Sequence, residues 1–179
     1  MDRDIVYFDL ETQRTSNDVG GWENISKMGM SVGVTYSTRL GEYRIYPESK
    51  VVDLVEQLRR ADLVVGYNIL HFDYRVLMGY TIFDLPSECR SLDMILTVEE
   101  QLGHKLKLES LGQGCLGVGK TAEGMDALKW WKEGRIADIA EYCCYDVKIT
   151  MQVHEFGVQN KKCFYLDKFN QKKAFSVDW

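Results

Sequence analysis

Residues 4 to 12, DIVYFDLET, leave the rest of the chain few choices. Side chains alternate along a strand, so Val6, Phe8 and Leu10 fall on one face and Ile5, Tyr7, Asp9 and Glu11 on the other. Apolar residues on both faces call for a strand covered on both sides, as in an α/β sheet. The following segments supply such a sheet. SVGVTYST and EYRIYP read as a second and a third strand, with Gly41 in the turn that joins them. Then VVDLVEQLRRA has helical spacing, DLVVGYN reads as a short buried strand, HFDYRVLMGY as a helix, and CRSLDMI leading into LTVEEQLG as strand and helix. Residues 123 to 133 and 135 to 160 predict two further helices. The tail CFYLDKFNQKKAFSVDW predicts a hairpin in which Phe175, Val177 and Trp179 alternate. Three antiparallel strands followed by alternating helices and strands predict an α/β fold, a mixed five-stranded sheet with helices on both faces. It occupies residues 1–160, and residues 161–179 extend the same domain as a basic, aromatic hairpin.

Composition narrows the class. At 179 residues, 45% of them hydrophobic and only 2 proline, the chain suits one ordered domain with a sizeable core. Its 5 cysteines show no CxxC spacing, and Cys143 and Cys144 adjoin within a helical pattern, which predicts reduced thiols rather than a disulfide framework or a zinc site. The N-terminus is charged at once and no apolar run approaches the roughly 18 residues of a membrane span, so the expectation is a cytoplasmic protein. The net charge of −5 hides an asymmetry: residues 161–179 hold five lysines against two aspartates, a net +3, which leaves −8 for the body.

GCLGVGKT, Gly114 to Thr121, satisfies the written pattern of a phosphate-binding P-loop. That motif needs a buried parallel strand to deliver its glycine-rich turn to a helix N-terminus. The residues upstream, HKLKLESLGQ, alternate leucine with lysine and then turn polar, so the delivering strand is missing. The segment reads instead as a loop after a short helix around Leu108 to Gly112, and ATP is not expected as a ligand.

Acidic residues carry the chemistry. Asp9 and Glu11 share one face at the end of the first strand. In the long helix, Asp138, Glu141, Tyr145, Lys148, Gln152, Glu155 and Gln159 form the polar face. Asp146 lies instead in the row Ile139, Tyr142, Asp146, Ile149, Val153, which is otherwise apolar or aromatic and should face the sheet. A carboxylate there needs a donor, a cation or a metal. Asp73 follows a strand ending near Asn68, in the first turn of a helix. Four carboxylates without clustered histidine or cysteine suit Mg²⁺ or Mn²⁺, and a pair of such ions is equipment for phosphodiester hydrolysis.

Together FDLET, NILHFD and YCCYD resemble the three motifs of the DEDD superfamily of 3′-to-5′ exonucleases, whose fold is ribonuclease H-like; the match spans residues 4 to 158. Tyr142, four residues before Asp146, marks the DEDDy branch. The other branch has histidine five residues before that Asp, where this chain has Glu141. The pattern from KLKLESL to ALKWWKEG is similar to stand-alone or helicase-associated predicted exonucleases. The resemblance implies a two-metal site of Mg²⁺ or Mn²⁺. Asp9, Glu11 and Asp146 would hold the first ion, Asp9 would bridge to the second, and Asp73 would act mainly through water. Tyr142 would orient the attacking water, Asn68 and Phe72 would shape the site, and Thr12 and Gln13 would line its entrance. The implied substrate is the 3′ end of single-stranded DNA or RNA, with a helicase or other nucleic-acid-processing protein as a partner. The alternative is a catalytically inactive module of the same fold that binds nucleic acid or protein. His71 and His104 read as surface residues, His154 and Trp130 as packing residues, and Asp93 as the cap of the following helix.

Overall fold

The computed structural model describes residues 3–119 and 124–179. Strand β1 (Ile5–Thr12) is central in a five-stranded sheet of order β3-β2-β1-β4-β5. β2 (Met30–Ser37) and β3 (Glu42–Pro47) run antiparallel to their neighbours, whereas β4 (Leu63–Gly66) and β5 (Ser91–Asp93) continue parallel to β1. Gly41, at φ +66°, makes the β2–β3 turn. On the β1–β2 ladder Glu11 faces Val32 but Thr12 faces Met30. The extra residue, Ser31 on β2, makes a bulge opposite the end of β1 where its carboxylates emerge, a common device beside active sites.

Each face of the sheet builds its own core. Val6, Phe8 and Leu10 pack with Leu54 and Leu58 of α1 (Val51–Arg60) and with Tyr74, Val76 and Leu77 of α2 (Asp73–Leu77). Phe8 and Leu54 are wholly buried, and burial of such side chains contributes about 1.5–3 kcal/mol each. The predicted helix over residues 71–80 is shorter than its spacing suggests. Asn68 is left-handed at φ 68° and a Cβ on Gly79 would collide with the carbonyl of Ser26, so tertiary contacts confine the helix to its middle. α3 (Leu85–Glu88) precedes β5.

The opposite face meets α4 (Met94–Leu102), α6 (Gly124–Lys132) and the long α7 (Ile136–Asn160). Ile139, Cys143, Val147, Ile149 and Val153 of α7 are buried against Tyr7, Val32, Val34 and Val65. Between them α5 (Leu108–Leu111) passes into a π-helical turn at Gly112–Leu116. The chain ends in the expected hairpin, β6 (Lys162–Leu166) and β7 (Lys172–Ser176), which buries Cys163, Phe175 and Val177 in the same core.

Candidate active site

Two elements bring the acids together. β1 carries Asp9 and Glu11 on the face covered by α7, and α7 presents Asp146 from its buried row. Ligand oxygens of Asp9, Glu11 and Asp146 all lie within 4.8 Å of one another, and the three residues are half-buried. Burial raises the Asp9 carboxyl well above the ordinary range, Asp146 raises it further, and a hydrogen bond from Cys143 opposes the shift. Glu11 is likewise raised, first by burial and then by Asp9, Asp146 and Asp73. The strongest charges felt by Asp9 and Glu11 are thus other carboxylates, a destabilising arrangement for the bare protein. An all-oxygen, anionic donor set of this kind fits a hard divalent cation and lacks the soft ligands favoured by zinc.

Asp73 stands apart from that trio. It is buried at the start of α2, and its Oδ1 accepts the backbone N–H of Leu10 at 3.0 Å. Burial and then Asp9 raise its pKa, while that backbone bond lowers it. One carboxylate therefore anchors the strand between Asp9 and Glu11 and also adds negative charge beside them.

Burial, followed by the charges of Asp146, Glu11 and Asp9, pushes the Tyr142 phenol up, so it stays protonated. Trp130 packs edge-on against its ring at a centroid distance of 6.3 Å. The Trp130 assigned to packing in the sequence thus fixes a site residue. Asp93 caps α4 through the N–H of Ile95 at 3.4 Å and also accepts from the backbone N–H groups of Asn68 at 2.6 Å and Leu70 at 3.0 Å. It thereby holds the left-handed turn that leads to Phe72 and Asp73.

These residues surround a cavity of about 710 Å³. Asp9, Glu11, Thr12, Asn68, Phe72, Asp73, Tyr142 and Asp146 all line it. Gln13 does not: its amide donates to the carbonyl of Met30 at 2.9 Å and ties the end of β1 to β2.

Sequence reasoning missed four contributors. Trp22, 63% exposed, meets Phe72 edge-on at 6.4 Å and adds an aromatic wall. Arg14 and Lys107 bring cations to the same cavity. The buried Cys143 donates its thiol to Asp9 Oδ2 at 3.2 Å, a contact foreshadowed only by its helical position one residue after Tyr142. His154 is a core residue bonded to the Tyr7 hydroxyl at 2.9 Å, and His71 and His104 are exposed.

The P-loop pattern has a packing explanation. A helix, α5, precedes it where a P-loop needs a strand, and a Cβ on Gly114 would collide with the Phe164 carbonyl of β6. Gly114 admits the hairpin backbone. Lys120 and Thr121 lie outside the described residues.

No family model matches the chain, and no curated protein matches it. Among solved structures it is similar to the family B DNA polymerase from the hyperthermophilic archaeon Pyrobaculum calidifontis, with a TM-score of 0.67 at 13% identity. The likeness covers 88% of this chain and 25% of that one, so the chain spans about a quarter of the polymerase's length. Likeness at that identity establishes fold. The chain is an α/β protein of the ribonuclease H-like architecture, carrying a three-carboxylate group able to hold a metal ion.

Proposed function

We propose that this protein is a metal-dependent 3′-to-5′ exonuclease that hydrolyses single-stranded nucleic acid to nucleoside 5′-monophosphates. The observation that carries the proposal is the meeting of Asp9, Glu11 and Asp146 within 4.8 Å on the wall of a cavity that Tyr142 also lines. Bound to these carboxylates, one or two Mg²⁺ or Mn²⁺ ions supply Lewis acidity for activating water and for neutralising charge at a phosphodiester.

The chain's own residues do the rest. Asp9, Glu11 and Asp146 gather the ions and fix them relative to the sheet, and Asp73 keeps the Leu10 backbone, hence both β1 acids, in register. Tyr142, protonated and braced by Trp130, offers its hydroxyl to orient the attacking water. Arg14 and Lys107 face the backbone charge of a strand, while Phe72 and Trp22 present aromatic surface to its terminal base. Architecture shared with a DNA polymerase supports nucleic acid as the substrate class.

Incubating 5′-labelled single-stranded DNA and RNA of one sequence with Mg²⁺, Mn²⁺ or chelator tests the reading. The expected result is a ladder that shortens from the 3′ end, depends on metal and vanishes in Asp146→Asn. Equal degradation by wild type and Asp146→Asn would remove the assignment.

A further inference from the structure

The hairpin β6–β7 has an inner face held by Cys163 and Phe175 and a largely exposed outer face, on which the half-buried Phe164 meets Phe156 of α7 edge-on at 6.0 Å. By strand alternation, Lys162, Phe164 and Leu166 of β6 share the outer face with Lys172 and Ala174 of β7; Phe164 pairs with Ala174 and Leu166 with Lys172. The ammonium groups of Lys162 and Lys172 lie 5.5 and 4.5 Å from the centroid of the Phe164 ring. At the hairpin tip Phe169 is 71% exposed, with Lys168 at 5.1 Å from its ring. Lys173 pairs with Asp167 at 3.9 Å, but among the described residues Lys162, Lys168 and Lys172 form no ion pair. Exposed cations interleaved with aromatic rings, in a chain whose other residues sum to −8, mark a surface for a polyanion with flat apolar groups.

The hairpin also sits beside the cavity. The Phe164 N–H donates to Cys115 Sγ at 3.1 Å, and Gly114 packs on the Phe164 carbonyl. Gly112 and Val118, from the same loop, line the cavity wall. One loop thus touches both the cavity and the hairpin.

We propose that this outer face is a second binding site for single-stranded nucleic acid, engaging the strand several nucleotides back from the end held in the cavity. Lys162, Lys168 and Lys172 take its phosphates, and Phe164 and Phe169 stack with its bases. The inference rests on the nuclease reading of the cavity. Aromatic rings beside the lysines, one of them the exposed Phe169, favour a nucleic acid over an acidic polypeptide, which would use only the charge.

Fluorescence anisotropy with 5′-fluorescein oligothymidylates of about 20 and about 5 nucleotides in CaCl₂ tests it, since single strands of this length bracket the reach of one aromatic, basic binding surface. Wild type should bind the longer strand at least about tenfold more tightly, as linked sites do. In Lys162→Gln/Lys172→Gln, with its melting temperature checked against wild type, the longer strand should bind as weakly as the shorter. Its salt slope should fall by about 1.4, or about 0.7 for each lost phosphate contact. Lys168→Gln, altered only at the exposed tip, should give a smaller loss and keeps the test open if the double variant misfolds. Unchanged affinity and slope in both variants would overturn the inference. So would a wild type that ignores the strands yet binds poly-glutamate through these lysines, since the surface would then fit an acidic protein. Lysine-dependent binding of the long strand, without any shortening of it in Mn²⁺, would support the hairpin site while removing the exonuclease reading of the cavity.

Discussion

Asp9 lies on the central strand, beside the carboxylate of Asp146 and under a thiol from the helix above. Asp9→Asn or Asp146→Asn should abolish metal-dependent hydrolysis, read as loss of the 3′ ladder, because each removes a ligand from the trio. Tyr142→Phe should separate binding from chemistry. It keeps the ring packed on Trp130 and the metal-induced rise in melting temperature, yet loses the hydroxyl and with it rate on the order of 10²-fold. Loss of the metal response in Tyr142→Phe would show that Tyr142 builds the site rather than orienting water. Cys143→Ala removes the Sγ donor, the bond that opposes the rise of the Asp9 pKa. The metal-free Asp9 should then titrate higher still, and more Mn²⁺ should be needed for half-maximal activity at pH 6 than wild type requires.

At the scale of elements, the hairpin is part of the core as well as an outer surface. Removing residues 161–179 uncovers the side of α7 against which Cys163, Phe175 and Val177 pack, and leaves Gly114 facing solvent in place of β6. The truncated chain should lose its cooperative thermal transition, measured by circular dichroism; a folded, sharply melting truncation would show that the hairpin is an appendage. Gly114→Ala tests the same junction more gently. The new methyl group meets the Phe164 carbonyl, and overpacking of this kind costs about 1–3 kcal/mol, to be read as a lower midpoint in urea with an unchanged slope.

For the whole molecule, two sets of buried groups pull stability in opposite directions with pH. Asp9, Glu11 and Asp73 titrate above the ordinary carboxylate range, so the unfolded chain releases their protons first. Their contribution is fully present below about pH 4 and is lost as pH rises through the folded values. His154, buried against Tyr7, has its pKa lowered from 6.5 to about 4, so its contribution is present above 6.5 and is lost as pH falls through about 4. In chelator, the melting temperature of wild type should therefore sag on the alkaline side of this range, whereas Asp9→Asn should sag less and keep the same acid-side loss. Adding Mn²⁺ at 100 times its Kd should restore wild type by about 2.7 kcal/mol per site, and Asp9→Asn should barely respond. A wild type indifferent to millimolar Mn²⁺ would leave the acidic cluster without its metal role.

The sequence by itself determined the order and type of the main elements and the identity of the acids, because both are local. Period-two alternation located β1, and a carboxylate in an apolar helical row singled out Asp146 without any knowledge of what it would meet. Only the tertiary structure decided that Asp146 closes on Asp9 and Glu11 to within 4.8 Å, since residues 135 or more positions apart meet through packing and not through pattern. Packing likewise made Asp73 a strut for the Leu10 backbone, turned Gln13 away from the cavity, brought Trp22 to its rim and set Cys143 behind Asp9. It also shows why the P-loop spelling at Gly114 misleads. The glycine satisfies a close approach by β6, and such contacts between distant segments leave no periodic trace in a single sequence.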